Sequence, residues 1–198
     1  TIWGDMDDNG AGVVTIPSSV AVATASSEIE IMASDIILNG TLNSGTAATS
    51  IGVPAADRVV GGGGATKDMK LGMVEMARIT SGFLTVGDSV NGGVHVTGVT
   101  TAGAANTGSV TFKGKTVTLY GASANAFAKG VNTTAKQGVT IDSVVTASES
   151  RTLRTDSDQN GSRAVTFDAS AAPVVANKSS VLTADGASVN ASVTAGST

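Results

Sequence analysis

The sequence contains no cysteine, one histidine and three prolines among 198 residues. The absence of cysteine excludes a disulfide scaffold and any metal site built from thiolates. The single histidine, His95, has no glutamate nearby in the chain, so a catalytic triad or a histidine-based metal site has no support. His95 lies in an alternating segment and is interpreted as a solvent-facing strand residue.

Charge and long apolar runs are also scarce. Charged residues make up 14% of the chain, against about 25% in an ordinary soluble domain. A net charge of −4 and a pI near 4.8 argue against a nucleic-acid binder. No apolar run approaches the ~20 residues of a membrane helix, and no signal peptide is visible, so we expect a mature or internal segment without membrane insertion.

The sequence is instead rich in small and β-branched residues. The chain has 25 glycines and is 41% hydrophobic, with a mean hydropathy of +0.21. Apolar and polar residues alternate with period two in several segments, as at Val94 and Val96 or Val117 and Leu119, and this pattern predicts strands. The predicted strands are residues 13–16, 20–24, 29–33, 36–38, 83–86, 94–99, 109–112, 116–120, 139–145 and 164–167. For residues 69–76, a strand or a single turn is favoured over a helix beginning at Asp68.

An internal match appears when the sequence is shifted by 151 residues without a gap. The acidic motif Asp5-x-Asp7-x-Asn9-Gly10 then lies on Asp156-x-Asp158-x-Asn160-Gly161, and apolar positions align behind it. We therefore interpret residues 1–151 as one repeat unit and residues 152–198 as the start of the next copy, continuous with the first.

Strand spacing predicts an all-β fold of the parallel β-helix (β-solenoid) kind. The first strands begin 7 to 9 residues apart, which fits coils of about 20–25 residues and about 6–8 coils in one unit. The narrow core is expected to be filled by inward-facing apolar residues. These are Val14, Ile16, Ile31, Leu38, Val96, Phe112, Leu119, Val139, Ile141, Val165 and Phe167.

Residues 34–46, 76–87, 92–99 and 138–146 resemble the strand–turn–strand pattern of filamentous-haemagglutinin-like repeat proteins. The resemblance covers most of the unit and rests on glycine, asparagine, threonine and valine. It implies a right-handed parallel β-helix at the cell surface or outside the cell, serving adhesion or forming a structural filament. It supplies no catalytic residues.

The acidic motif is the first candidate site. Asp5, Asp7 and Asn9, repeated as Asp156, Asp158 and Asn160, match the first half of a calcium loop, in which alternate oxygens converge and glycine makes the turn. The acid expected at loop position 12 is missing, because Ile16 and Phe167 stand there. The alternative is a polar turn in which Asp and Asn bond their own backbone. Calcium is the only cofactor considered, and no organic cofactor is expected.

Glycosylation sequons form the second candidate set, at Asn39, Asn132, Asn160, Asn177 and Asn190. Asn39 and Asn190 are equivalent under the shift of 151. The alternative is that asparagine simply suits solenoid turns.

Two further features have structural interpretations. The glycine run in residues 61–67 lacks the ending of a phosphate loop and is expected to form a flexible turn between coils. Trp3 and Tyr120 suit core or coil-cap positions better than partner anchors.

Two functions remain open. The first is a non-enzymatic extracellular stalk or filament whose partners are copies of itself, joined end to end covalently or head to tail. The alternative is an adhesin or carbohydrate-binding surface, which an exposed aromatic row formed by Phe83, Phe112 and Tyr120 would favour. A β-helix polysaccharide lyase or hydrolase has little support, because Asp142, Glu149, Arg151 and Arg154 are scattered.

Overall fold

The computed structural model describes residues 1–7, 9–149 and 151–154, and beyond them the backbone of four strands ending at residue 195. Its first strands are β1 (Ile2–Trp3), β2 (Val13–Ile16), β3 (Ala21–Ala23), β4 (Ile29–Met32), β5 (Asp35–Leu38), β6 (Thr41–Asn43), β7 (Ala48–Gly52), β8 (Val59–Gly63) and β9 (Met69–Gly72). The helix α1 (Met73–Met76) separates these from β10 (Ile79–Val86), β11 (Gly93–Thr97), β12 (Thr107–Tyr120), β13 (Asn125–Phe127), β14 (Gly130–Asp142), β15 (Val145–Ala147) and β16 (Arg151–Arg154). The last four strands are β17 (Val165–Phe167), β18 (Val174–Ala176), β19 (Ser180–Thr183) and β20 (Val193–Ala195). The predicted all-β class is confirmed.

Every strand pairing in the described part of the chain is parallel. In most of them the partners are 19 to 29 residues apart in the chain, as in Val13 with Asp35 and Ile31 with Ile2. The separation rises to between 34 and 37 where β9 and α1 are added to the layer. It falls to 9 between β8 and β9.

The pairings arrange the strands in three columns. The first column runs β1, β4, β7, β10, β12, β14, β16 and β19, so six steps separate β1 from β16. The second holds the pair β2–β5 and the series β9, β8, β11, β12, β14 and β17, in which β9 lies beyond β8 although it follows β8 in the chain. The third holds two series that no described pairing joins: β3, β6 and the start of β10, and then β13, β15, β18 and β20.

The main sheet is strongly curled. Two long strands, β12 and β14, belong to both the first and the second column, because each half of the strand pairs with a different neighbour. Residues 107–112 of β12 pair with β10, and residues 116–119 pair with β11. A register shift between Gly114 and Thr116 marks the corner between the columns, and such irregularities bend a strand and increase its twist. The two short strands predicted for this region are therefore one long strand.

The core lies between the columns and matches the sequence pattern. Of the predicted inward residues, eight are buried: Ile16, Ile31, Leu38, Val96, Phe112, Leu119, Val139 and Ile141. Val14 is partly buried and packs against the same core. The side chains of Val165 and Phe167 lie outside the described residues. Phe112 meets Phe127 edge to face, with ring centroids 5.9 Å apart.

Two local expectations were tested near the helix. Residues 69–76 form a strand and one helical turn, as favoured, and the Asp68 carboxylate accepts a hydrogen bond from the Val59 amide. The turn expected for residues 61–67 is wrong for Gly61 to Gly63, which end the buried strand β8, whereas residues 64–67 do lie in the turn that leads to β9. A Cβ on Gly62 would lie 3.1 Å from the Phe112 ring, so this glycine leaves room for the large aromatic side chain.

Candidate functional site

The acidic turn between β1 and β2 is closed by its own hydrogen bonds. The Asp5 carboxylate is buried, and its Oδ2 accepts the Gly10 amide at 2.9 Å. Asn9 donates from Nδ2 to Asp7 Oδ2 at 2.7 Å and accepts the Ala11 amide at Oδ1. This is the polar-turn arrangement weighed against calcium above.

One oxygen of this turn has no hydrogen-bond partner. Asp5 Oδ1 is buried without a donor, and Arg58 Nε is buried without an acceptor. Arg58 Nη1 donates to the Gly10 carbonyl at 3.3 Å. A cation beside Asp5 Oδ1 would satisfy that oxygen, because calcium takes carboxylate and carbonyl oxygens as ligands. Within the described residues, no group of three or more His, Cys, Asp or Glu side chains is placed to hold a metal.

The second acidic motif lies outside the described residues. Asp156, Asp158 and Asn160 therefore receive no placement, and the calcium hypothesis rests on Asp5, Asp7 and Asn9.

The sequons that are described lie at the surface. Asn39 is exposed in the turn between β5 and β6, where Arg78 Nη1 lies 3.5 Å from its Oδ1. Asn132 lies on β14 and is partly exposed. Asn160, Asn177 and Asn190 lie outside the described residues. The Asn39 side chain is thus accessible, as a glycan acceptor must be.

The histidine and the strand aromatics are not gathered into one exposed group. His95 and Tyr120 are partly buried and meet edge to face at 5.9 Å. Burial, and to a lesser extent the charge of Lys67, lowers the pKa of His95 below its usual 6.5. Phe112 is fully buried while Phe83 is 60% exposed, so the row of exposed aromatics is not formed. Tyr120, expected at a core or coil-cap position, is partly buried, so it is not a core residue.

The first three strands, β1, β2 and β3, are each paired on one side only. β1 pairs with β4, β2 with β5 and β3 with β6, and no other described strand pairs with any of the three. We call their unpaired sides the leading edge. Trp3 lies on it and is 51% exposed, which agrees with a coil-cap position. The sequence pattern missed β1, whose only signal was that Ile2 aligns with Leu153 under the shift of 151.

A shallow apolar groove of about 360 Å³ lies beside α1, with Met73, Val74, Ala77 and Gly103 in its wall. Val74 is 65% exposed there. No charged cluster or buried polar group identifies a ligand for this groove.

Comparisons with protein-family models, with curated proteins and with solved structures found no match to this chain. Within the described residues, no helix has the length and apolar character needed to cross a bilayer.

Proposed function

We propose that the chain is a length of right-handed parallel β-solenoid that serves as a non-enzymatic building block of an extracellular stalk or filament. The resemblance to filamentous-haemagglutinin-like repeats suggested this function, and it also supplies the handedness and the location. The observation that carries the proposal is the uninterrupted parallel column from β1 to β19.

Such a column transmits its geometry from one coil to the next. Each layer pairs its backbone groups with the layers before and after it, so a fixed spacing of about 4.8 Å is repeated along one axis. In a solenoid each coil contacts only its neighbours, and length is added without changing the cross-section. A chain built in this way suits a spacer or filament.

The adhesin alternative has lost the aromatic row that would have favoured it. Its aromatic row required Phe112 on the outside, and that ring is among the largest fully buried side chains. Phe83 remains as an isolated exposed ring in the middle of β10.

Small-angle X-ray scattering on arrays of one, two and three 151-residue units tests the proposal. The six steps from β1 to β16 predict that each unit adds about 29 Å of length, with a constant cross-section. A compact particle, or units that move independently as beads on a string, would overturn the structural role.

A further inference from the structure

The leading edge has no pairing partner at β1. The strand that corresponds to β1 under the shift of 151 is β16, and both of its sides are paired. β16 pairs with β19 on one side and with β14 on the other. Moved back by 151 residues, the pair Leu153–Leu182 falls on Ile2–Ile31, and Arg154–Thr183 falls on Trp3–Met32. The pairing of β16 with β19 thus reproduces the register of β1 with β4.

The side of β16 and β17 that corresponds to the leading edge is paired with β14. β14 places Thr133 opposite Leu153 and Thr134 opposite Arg154. Farther along, β14 places Thr140 opposite Thr166 and Ile141 opposite Phe167.

We propose that the leading edge of β1 and β2 is a docking surface for β14 of a second copy of the 151-residue unit, joined ahead of this one. The register follows from the same shift of 151: Thr133 opposite Ile2, Thr134 opposite Trp3, Thr140 opposite Thr15 and Ile141 opposite Ile16. The inference rests on the proposed structural role and adds the strand that docks and its register.

The faces of the two strands agree in this register. Ile16 and Ile141 are both buried, so they would extend one apolar layer. Thr15 is exposed and Thr140 is partly exposed on the outer face. A slip by one residue would exchange inward and outward side chains and is therefore disfavoured.

The leading edge also lacks the features that block pairing. Natural edge strands are often protected by lysine, proline or inward-pointing charge. The strands Ile2–Trp3, Val13–Ile16 and Ala21–Ala23 contain none of these residues.

A two-unit protein tests the register: residues 1–151 followed directly by the full 198-residue chain. The native sequence has no cysteine, so an engineered cysteine pair can be assayed without interference from other thiols. Thr140→Cys in the first copy and Thr15→Cys in the second would lie about 4.8 Å apart between Cα atoms, inside the range of a disulfide. Mild oxidation should remove both free thiols. Trp3→Cys with Thr134→Cys is an independent pair for the same register.

Matched controls separate register from mere proximity. Thr118→Cys with Thr140→Cys in the 198-residue chain is the positive control, because these residues are paired within it. In the two-unit protein, Thr140→Cys with Val13→Cys shifts the contact by two residues to about 8 Å, so both thiols should stay free.

The outcomes distinguish the two proposals. Closure of both matched pairs with the Val13 control open supports the docking register. If the Thr118 control closes and neither matched pair does, or if the Val13 pair closes equally well, the docking proposal is wrong. Growth of about 29 Å per unit in scattering would in that case leave the structural role standing.

Discussion

Ile141→Ala tests the stacked core in its most enclosed part. Ile141 is 0% exposed and lies opposite Leu119, which is also 0% exposed. On its other side the backbone of β17 pairs with the same strand. Because layers on both sides limit collapse into the cavity, we expect a loss of about 3–4 kcal/mol, within the range of about 2–5 kcal/mol for such truncations.

Urea unfolding followed by circular dichroism measures this loss, with Thr140→Ala as the matched control. Thr140 is the neighbour on the same strand and is partly exposed, so its truncation should cost about 0.5 kcal/mol or less. Hydrogen exchange should show the Ile141 variant losing protection in β12 as well as β14, since each coil is stabilised by the next. Equal losses for the two variants would refute the stacked core.

The remaining predictions concern backbone packing, calcium and pH. Gly82→Ala should lower the melting temperature strongly, because its Cβ would lie 2.1 Å from the Thr46 carbonyl oxygen. Gly64→Ala is the control and should be nearly neutral, because the nearest atom to its Cβ would be 3.4 Å away. Similar shifts in melting temperature for the two variants would contradict the packing. Calcium should raise the melting temperature if it binds the buried Asp5 oxygen, because a ligand of the native state stabilises that state. If calcium raises the melting temperature of Asp5→Asn equally, or if a chelator has no effect on the native chain, the calcium hypothesis is wrong. His95 should titrate by NMR below its usual pKa of 6.5. The unfolded chain then binds the proton more readily than the folded one. The contribution of His95 to stability is therefore present above pH 6.5 and is lost as the pH falls through the lowered pKa. A measured pKa at or above 6.5 would contradict this.

Alternation of apolar residues predicted several of the strands that line the core, but it missed β6, β7 and β13, which carry the buried Leu42, Ile51 and Phe127. Val96, Leu119 and Ile141 were expected to point inward, and all three are buried. Some pairings, such as β4–β7 and β11–β12, have partners 20 to 23 residues apart, within the predicted coil length, whereas others are 26 to 37 residues apart. These features are local or follow from regular spacing, so one sequence suffices to predict them.

The strand β8 was missed because its reason lies elsewhere in the chain. Gly61 and Gly62 have low intrinsic strand preference, and only the Phe112 ring and the Ala65 carbonyl explain why no side chain fits there. The burial of the Asp5 carboxylate also could not be predicted from the motif. It depends on the packing around the turn, which the spacing of the oxygens does not encode.

X-ray fibre diffraction from oriented arrays of several 151-residue units tests the central claim most directly. Coils stacked along one axis predict a strong reflection near 4.8 Å parallel to the rod, together with an axial repeat of about 29 Å from six layers per unit. A 4.8 Å reflection perpendicular to the rod, or the absence of the axial repeat, would contradict a continuous solenoid.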